Sequence, residues 1–131
     1  MESSVCLDTD TLVDILRNKK EIVGWMQEIE KNTTIYTTII NVFELYIGAY
    51  LAQNPEEKIR SIQKLLSRLI VLNLSEEIVI EAAQQYSQLR KEGDSLENED
   101  ILIGTIALIE GCPLKTNNKK HFSRIKNLRL C

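Results

Sequence analysis

Apolar and polar positions follow two different periods along the chain, and these predict strands and helices in alternation. Runs rich in aliphatic and β-branched residues predict strands at residues 5–7, 33–38, 69–74 and 113–116. The longer stretches between them carry apolar residues three or four positions apart, which is typical of helices. Short strands that alternate with helices predict an α/β fold, a three-layer α/β/α sandwich with a mainly parallel central sheet.

Residues that favour helix ends mark the helix boundaries. Helices are predicted after Asp10, over about residues 20–30, from Pro55 to Leu66, from Ser75 to before Gly93, and from Asn98 to Gly111. Polar caps and acidic residues suit the start of a helix, and glycine suits its end.

Two segments are predicted to be buried on all sides. Residues 39–51 are apolar around nearly the whole helix, and residues 69–74 lack the polar alternation of a half-exposed strand. A polar turn at His121-Phe122 and a last edge strand at residues 128–130 complete the pattern. No repeat or linker interrupts it, so residues 1–131 are expected to form a single domain.

Charge is distributed unevenly, although the net charge is only −3. Residues 1–110 contain ten basic and all nineteen acidic residues, whereas residues 111–131 contain six basic residues and no acidic one. Such a basic end can bind an anionic polymer or pair with the acidic body, and composition does not decide between the two.

Cysteine usage and the apolar runs indicate the compartment. Cys6, Cys112 and Cys131 cannot all pair and form no CxxC motif, so they are expected to be reduced and to lie in the core. The N-terminal residues carry no secretory signal, and no apolar run is long enough to span a membrane. A cytoplasmic protein is expected.

Three carboxylates are candidates for chemistry. Asp8 follows the first strand, where open parallel sheets bind ligands, although a role in the turn explains it equally well. Glu44 lies on the apolar helix with no basic residue within a helical turn, so its burial requires a cation or hydrogen-bond partners. Asp100 begins a helix, where it can stabilise the helix dipole, but it shares a face with Gly104 and Ala107 and is expected to point inward.

Four short segments carry a more specific signal when they are taken together. They are Leu7-Asp8-Thr9, then Glu44-Leu45 with Gly48-Ala49, then Asp100-Ile101-Leu102-Ile103-Gly104, and finally Leu114-Lys115-Thr116-Asn117-Asn118 with His121-Phe122. In this order and at these distances the chain resembles the PIN-domain ribonuclease family, and most closely the VapC-type toxins of bacterial and archaeal toxin–antitoxin pairs. The resemblance extends over about residues 5–125.

The resemblance implies a metal-dependent endoribonuclease that cleaves RNA phosphodiester bonds by water attack. Asp8, Glu44 and Asp100 would be its catalytic residues and its ligands for Mg²⁺ or Mn²⁺. The fourth acidic position of the family falls on Asn118, which is uncharged, and Asp10 or Glu97 are candidates to compensate. Oxygen ligands without histidine or cysteine are also what Mg²⁺ chemistry favours.

The resemblance also implies contacts with other molecules. Basic residues at the rim of an acidic cleft would hold RNA phosphates, and Lys119, Lys120 and Arg124 follow directly after the last motif. Thr116 is expected to support the site, whereas His121 is expected to be structural. The family implies a homodimer and a small antitoxin that covers the cleft. The first helices, with Leu12, Val13 and Leu16, offer either a dimer contact or core residues.

Two other functions stay open on the sequence. Asp8 and Asp10 match the DxDxT signature of haloacid-dehalogenase-like phosphatases, and Gly93-Asp94-Ser95 imitates their late acidic motif. In those enzymes an apolar strand precedes that motif, whereas residues 84–92 are polar and helical in pattern. A catalytically silent PIN-like module that binds RNA or protein is the second alternative, because Asn118 lacks the family's charge.

Overall fold

Four parallel strands form the central sheet of the structure, a computed structural model that describes residues 3–131. They are β1 (Ser3–Leu7), β2 (Thr33–Thr38), β3 (Ile70–Leu72) and β4 (Leu114–Lys115). Their order across the sheet is β3-β2-β1-β4, and each neighbouring pair is parallel. The ends of all four strands therefore meet at one margin of the sheet, called the carboxyl edge below, with β1 between β2 and β4.

Helices connect the strands and cover the sheet. Within residues 3–131 they are α1 (Thr9–Leu16), α2 (Lys20–Ile29), α3 (Ile39–Leu51), α4 (Pro55–Leu66), α5 (Glu76–Lys91), α6 (Asn98–Glu110) and α7 (Lys119–Phe122). Parallel neighbours need crossover connections of this kind, because the chain must return to the starting end of the sheet. The predicted alternation of strands and helices is confirmed.

Alternating side chains of β1 separate two hydrophobic cores. Val5 and Leu7 pack with residues of α1 to α4 on one face of the sheet, whereas Cys6 packs with residues of α5 to α7 on the other. Successive side chains of a strand point to opposite faces, so one strand contributes to both cores. A sheet with helices on each face is the predicted three-layer α/β/α sandwich.

The helix α3 is less buried than its apolar sequence predicts. Asn41, Leu45 and Ala49 are its buried residues, whereas Phe43 and Tyr50 are 59% and 67% exposed. One side of α3 packs against α1, α4 and α6. Ile47 and Leu51 are exposed on the same helix, so the prediction of a fully buried helix is wrong.

The burial of one strand and the starts of two helices also differ from the prediction. Strand β3 is an outer strand of the described sheet, so Ile70 is half exposed instead of covered on both faces. The helix α1 starts directly after Asp8, so Asp10 lies in its first turn and does not cap it. Similarly, Glu97 precedes the first turn of α6, and Asn98 is already helical.

The C-terminal segment completes the sheet only in part. Leu130 forms a single parallel bridge to Leu114, where the sequence predicts an edge strand over residues 128–130. His121 and Phe122 lie in α7 instead of a turn, and Phe122 is completely buried. The short helix thus fixes the basic segment against the core of the domain.

Three further expectations concern Leu12, the cysteines and membrane-spanning helices. Leu12 is completely buried in the core, so it is not available for the dimer contact that the sequence allows. Cys6 and Cys112 are buried as predicted, but Cys131 is exposed. Within residues 3–131, no helix has both the length and the apolar composition that crossing a membrane requires.

Candidate active site

Asp8 lies at the carboxyl edge, directly after β1, and only 7% of the residue is exposed. Asn41 Nδ2 donates a hydrogen bond to its Oδ1 over 3.0 Å, and Thr116 Oγ1 donates to its Oδ2 over 2.7 Å. Because these bonds hold both oxygens, the carboxylate does not cap α1, although Asp8 occupies the capping position. Its orientation is therefore fixed from two distant parts of the chain.

Asn41 joins Asp8 to Glu44 through a series of hydrogen bonds. Its amide nitrogen also donates to Thr9 Oγ1 over 2.9 Å, and Thr9 Oγ1 donates to Glu44 Oε1 over 2.7 Å. The amide oxygen of Asn41 accepts from the backbone N–H and the hydroxyl of Thr38, the residue that caps α3. Asn41 is fully buried, and these bonds satisfy its polar atoms. The start of α3 thus positions two carboxylates at once.

Burial raises the pKa values of Asp8, Glu44 and Asp100, and repulsion from neighbouring carboxylates adds to each rise. Loss of hydration is the largest cause for each, and the pKa of Asp100 rises to about 6. The charges of Asp8 and Glu44 add to the rise at Asp100, and the charge of Asp8 adds to the rise at Glu44. Such electrostatic effects require short separations. The structure therefore brings together the three acids that the sequence singles out.

Little positive charge balances this cluster. His121 is the neighbour whose charge lowers the pKa of Asp100, whereas Glu97 raises it further. None of the three carboxylates belongs to an ion pair formed within the described residues. Carboxylates that are held close together without a basic partner suit a hard divalent cation, which prefers oxygen ligands.

The side chains are not yet arranged as a metal cage. In the described part of the chain, no group of three acidic, histidine or cysteine side chains is placed to hold an ion as it stands. Glu44 bonds to Thr9, and both oxygens of Asp8 accept hydrogen bonds. The donor atoms therefore fit Mg²⁺ or Mn²⁺ in kind, and closing the site around such an ion requires side-chain movement.

Asp10 and Thr116 hold the turn that follows β4 beside Asp8. Thr116 is buried, and its hydroxyl oxygen also accepts the backbone N–H of Asn118 over 3.0 Å. Asp10 Oδ2 accepts the backbone N–H of Asn117 over 3.0 Å. Two of the three predicted supporting residues, Asp10 and Thr116, thus connect the start of α1 to the segment that leads into α7, whereas Glu97 precedes α6.

The side chain of Asn118 contacts His121. Asn118 Nδ2 lies 2.9 Å from His121 Nδ1, and no hydrogen bond within residues 3–131 joins this amide to Asp8 or Asp100. Asn118 lies in the turn between Thr116 and α7, and its backbone N–H donates to the same Thr116 hydroxyl that binds Asp8. Its role as a metal ligand stays a prediction.

The predicted RNA-binding residues lie in two different environments. Lys119 and Lys120 are exposed on α7. Arg124 is half-buried, and its guanidinium donates to the carbonyl oxygen of Ser95 over 3.0 Å. Arg124 therefore fixes the loop before α6, whereas the two lysines are open to an anionic ligand.

Thr9 and Asn41 hold the site, but the sequence interpretation did not assign them this role. Asn41 does carry a recognisable signal, because it is a polar residue on an otherwise apolar helix. It lies three positions after Thr38 and three before Glu44, which is the spacing of a reciprocal helix cap. A buried amide beside a buried acid is a candidate partner for that acid.

Comparison with known proteins gives a consistent result. Residues 5–128 match the PIN domain family. Ribonuclease VapC1 from Haemophilus influenzae strain R2866 is 32% identical over 124 residues, which cover 94% of this chain and 92% of that protein. A tRNA(fMet)-specific endonuclease VapC from Salmonella typhimurium is 29% identical over 125 residues, covering 95% and 93%.

The fold has a similar neighbour among solved structures. The crystal structure of VapBC2 from Rickettsia felis, bound to a DNA fragment from their promoter, superposes with a TM-score of 0.91. Sequence identity is 28%, and the match covers 98% of this chain and 97% of that chain. The same family and the same fold are therefore found by sequence and by structure.

These findings do not support the phosphatase alternative. Residues 84–92 lie mainly in α5, so a helix and not a strand precedes Gly93. Asp10, the second aspartate of the DxDxT pattern, is engaged by the backbone of Asn117. The resemblance to phosphatases is thus confined to short sequence motifs, and the corresponding structure is not found around them.

Proposed function

The chain belongs to the PIN-domain family, and from this premise we propose that it is a divalent-metal-dependent endoribonuclease and the toxin of a type II toxin–antitoxin pair. The observation that carries the proposal is the cluster of Asp8, Glu44 and Asp100 at the carboxyl edge. Relatives named as a ribonuclease and an endonuclease, which match over nearly the whole chain, support it.

Asp8, Glu44 and Asp100 are the proposed ligands of Mg²⁺ or Mn²⁺, with Asn118 as a neutral fourth. When bound, the ion polarises the scissile phosphate, lowers the pKa of an attacking water and offsets charge on the leaving oxygen. Asp8 presents its carboxylate in the orientation that Asn41 and Thr116 impose. This orientation exists before any substrate arrives.

Glu44 is the proposed acceptor of the proton that the attacking water loses. Its Oε1 accepts from Thr9, so Oε2 is the atom for that role. The proton is then available for the leaving oxygen or for solvent.

Lys119 and Lys120 are the proposed anchors of the RNA backbone. An acidic cluster repels phosphates, so cations at its rim are required to bring RNA close. Arg124 joins them only by giving up its bond to Ser95, and its contribution is expected to be smaller. Because cellular RNA is the substrate, the proposed site of action is the cytoplasm.

Cleavage assays with and without EDTA test this function. Structured RNA should be cut in the presence of Mg²⁺, EDTA should stop the reaction, and a generic phosphomonoester should not be hydrolysed. Turnover of the phosphomonoester without RNA cleavage would support the phosphatase instead. Binding of RNA without cleavage at any Mg²⁺ or Mn²⁺ concentration would support a catalytically silent module.

A homodimer is proposed because α3 exposes an apolar surface. Phe43, Ile47, Tyr50 and Leu51 are all exposed, and Leu51 reaches 83%. Adjacent exposed apolar side chains commonly mark a protein interface. Light scattering at micromolar concentration should give twice the chain mass of 15.0 kDa, and Tyr50→Glu should shift the protein toward the monomer. A monomeric wild-type protein would contradict the proposal.

A small antitoxin is the other proposed partner. The similarity to a VapBC structure supports a protein that covers the cleft. An open reading frame for a short protein directly upstream would be consistent with this pairing. Co-expression should then give a stable complex in which RNA cleavage is suppressed, and an unchanged rate in the complex would contradict it.

A further inference from the structure

A cavity of about 310 Å³ opens beside Glu44, between α1, α3 and α4. Its aliphatic walls are Val13, Leu16, Leu45, Ala49 and Ile62. Arg17 and Lys58 line it as well. A volume near the lower end for ligand pockets, roughly 300 Å³, gives room for one small group and not for a folded segment.

We propose that this cavity is a subsite for one RNA nucleotide next to the scissile phosphate. In this arrangement the aliphatic walls contact the nucleoside, and Arg17 and Lys58 contact a flanking phosphate. The proposal rests on the proposed ribonuclease function and extends it to the position of the substrate.

Continuity with the acidic cluster is the first support. Glu44 lines the cavity, and hydrogen bonds of 2.7–3.0 Å join it through Thr9 and Asn41 to Asp8. The cavity and the cluster therefore share the Glu44 side chain. An RNA strand whose scissile bond lies at the cluster brings its next nucleotide to the mouth of the cavity.

Charge gives the second support. Arg17 and Lys58 are exposed, and neither forms an ion pair with another residue of the described chain. The cavity lining contains these two basic residues and a single acidic one, Glu44, whereas residues 1–110 as a whole are strongly acidic. An RNA strand supplies one phosphate per nucleotide, which is the anion that such a pair of cations recognises.

Topology adds a third support. The helix α3 follows β2 and α7 follows β4, and β2 and β4 flank β1 on opposite sides. The cavity therefore lies on one side of Asp8, and Lys119 and Lys120 lie on the other. An RNA strand across the carboxyl edge therefore meets cations at both ends of the acidic cluster. These cations hold the scissile phosphate in place against repulsion by the carboxylates at the centre.

Gly48 lines the cavity. It lies on α3 one helical turn after Glu44, its φ is not positive, and an added Cβ would have no atom within 4 Å. Neither a special backbone conformation nor close packing therefore requires glycine here. Glycine in a helix interior is unfavourable compared with alanine. The property that distinguishes it here is the lack of a side chain at the cavity lining.

A protein side chain is the competing occupant, because aliphatic walls accept it equally well. Arg17 and Lys58, which have no ion-pair partner among residues 3–131, and the shared Glu44 favour the nucleotide, since both relate the cavity to a phosphate backbone at the cluster. The two occupants predict different effects of the same substitutions.

Steady-state cleavage of a short oligoribonucleotide tests the subsite. The variants are the double substitution Arg17→Ala with Lys58→Ala, and Gly48→Leu, which fills the cavity without changing charge. Arg60→Ala with Lys64→Ala is the matched control, because these residues lie on α4 and do not line the cavity.

Both cavity variants should raise KM by about ten-fold and leave kcat within about two-fold, because the subsite binds the substrate without taking part in the chemistry. The charge variant should also reduce the slope of log KM against log salt concentration by up to about two. The control should leave KM close to the wild-type value.

If the wild-type enzyme cleaves RNA and both cavity variants have the same KM as the wild type, the subsite is overturned and the ribonuclease function stands. If the wild-type protein does not cleave RNA, the proposed function fails. The subsite is then tested by binding: the cavity substitutions and the control substitutions are introduced into Asp8→Asn, and the affinities of these proteins for the same oligoribonucleotide are compared. Loss of binding to the upstream-encoded small protein in Gly48→Leu, with an unchanged KM for RNA, would assign the cavity to that protein and overturn the proposal.

Discussion

The two sides of the carboxylate cluster are held in different ways. Asp8 and Glu44 lie on the side of β1 and α3, where hydrogen bonds of 2.7–3.0 Å from Asn41, Thr9 and Thr116 fix them. Asp100 lies at the start of α6, where burial and the charges of its neighbours raise its pKa to about 6 and no hydrogen bond within the described residues offsets the rise.

Hydrogen bonds therefore set the positions of Asp8 and Glu44, whereas charge dominates the behaviour of Asp100. The hydrogen-bonded side keeps its arrangement without a cation, because neutral donors within the protein satisfy its carboxylates. Asp100 depends on a counter-charge, since it is ionised next to two other carboxylates. Substitutions on the first side should therefore change how the site is built, and those on the second side should change how it responds to metal and pH.

The largest effect is expected from Asp8→Asn. The substitution removes one charge from the centre of the cluster and should lower kcat for RNA cleavage by about 10²-fold or more, the scale of losing a major electrostatic contributor. The fold should be retained, because one of several crowded like charges is removed. Circular dichroism and cleavage rates measure the two effects. Asp94→Asn, in the loop before α6, is the control, and a wild-type rate for Asp8→Asn would show that the site is assigned wrongly.

Asn41→Ala should have the next largest effect, because it leaves donors and acceptors around two acids without partners. A buried polar group left unsatisfied costs about 1–3 kcal/mol in the free energy of unfolding. Urea denaturation measures this cost, and cleavage should slow by about ten-fold as Asp8 and Glu44 lose their fixed positions. The exposed Asn73→Ala is the control. Normal activity in a destabilised Asn41→Ala protein would limit the residue to a structural role.

Asp100 should give the stability of the metal-free protein a distinct pH dependence. A carboxyl group whose pKa is raised on folding stabilises the folded state while it is protonated, so this contribution is complete below its ordinary value of 3.8 and is lost as pH rises through about 6. In EDTA, the free energy of unfolding of wild type should therefore fall relative to Asp100→Asn between about pH 4 and pH 7.

Mg²⁺ should reverse this trend, because binding to the folded state stabilises it. The increase in Tm caused by Mg²⁺ should be larger at pH 7 than at pH 5, where protons compete for Asp100, and it should be much smaller in Asp100→Asn. An equal increase in both proteins would remove Asp100 from the metal site.

The smallest effect is expected at Asn118. Asn118→Asp adds a negative charge near the cluster and should lower the half-saturating Mg²⁺ concentration for cleavage, because carboxylate number tunes the affinity for hard cations. The change should be modest, roughly a few-fold, since the Asn118 side chain is engaged with His121. RNA affinity without metal should stay close to wild type. An unchanged Mg²⁺ requirement would mean that Asn118 is not a ligand.

Much of this site could be predicted because its acids follow strand ends or occupy conspicuous positions on helices. Asp8 follows an apolar strand, and Glu44 is a charge on an apolar helix, so both are visible in the pattern. Asn41 is less visible, because its function depends on which side chains the fold places around it. A hydrogen bond between Asn41 and Asp8 joins positions 33 residues apart, and no local pattern encodes that distance.

Burial was the property that the sequence predicted least well. The apolar letters of α3 and β3 show that these elements avoid water, but not what covers them. Ile70 is half exposed because β3 is an outer strand, and Phe43 is exposed because its side of α3 has no neighbour within residues 3–131. Both differences follow from the order of the strands and the extent of one domain, which periodicity alone does not contain.

The bond between Thr116 and Asp8 connects residues 108 positions apart. During translation, β1 and α1 therefore leave the ribosome long before the segment that completes their site. Until residues 113–118 emerge, Asp8 lacks one of its two side-chain donors, and Asp10 lacks the backbone of Asn117. Pairing between such distant segments is also slow to form. The nascent chain thus acquires its complete set of site contacts only after residues 113–118 have emerged.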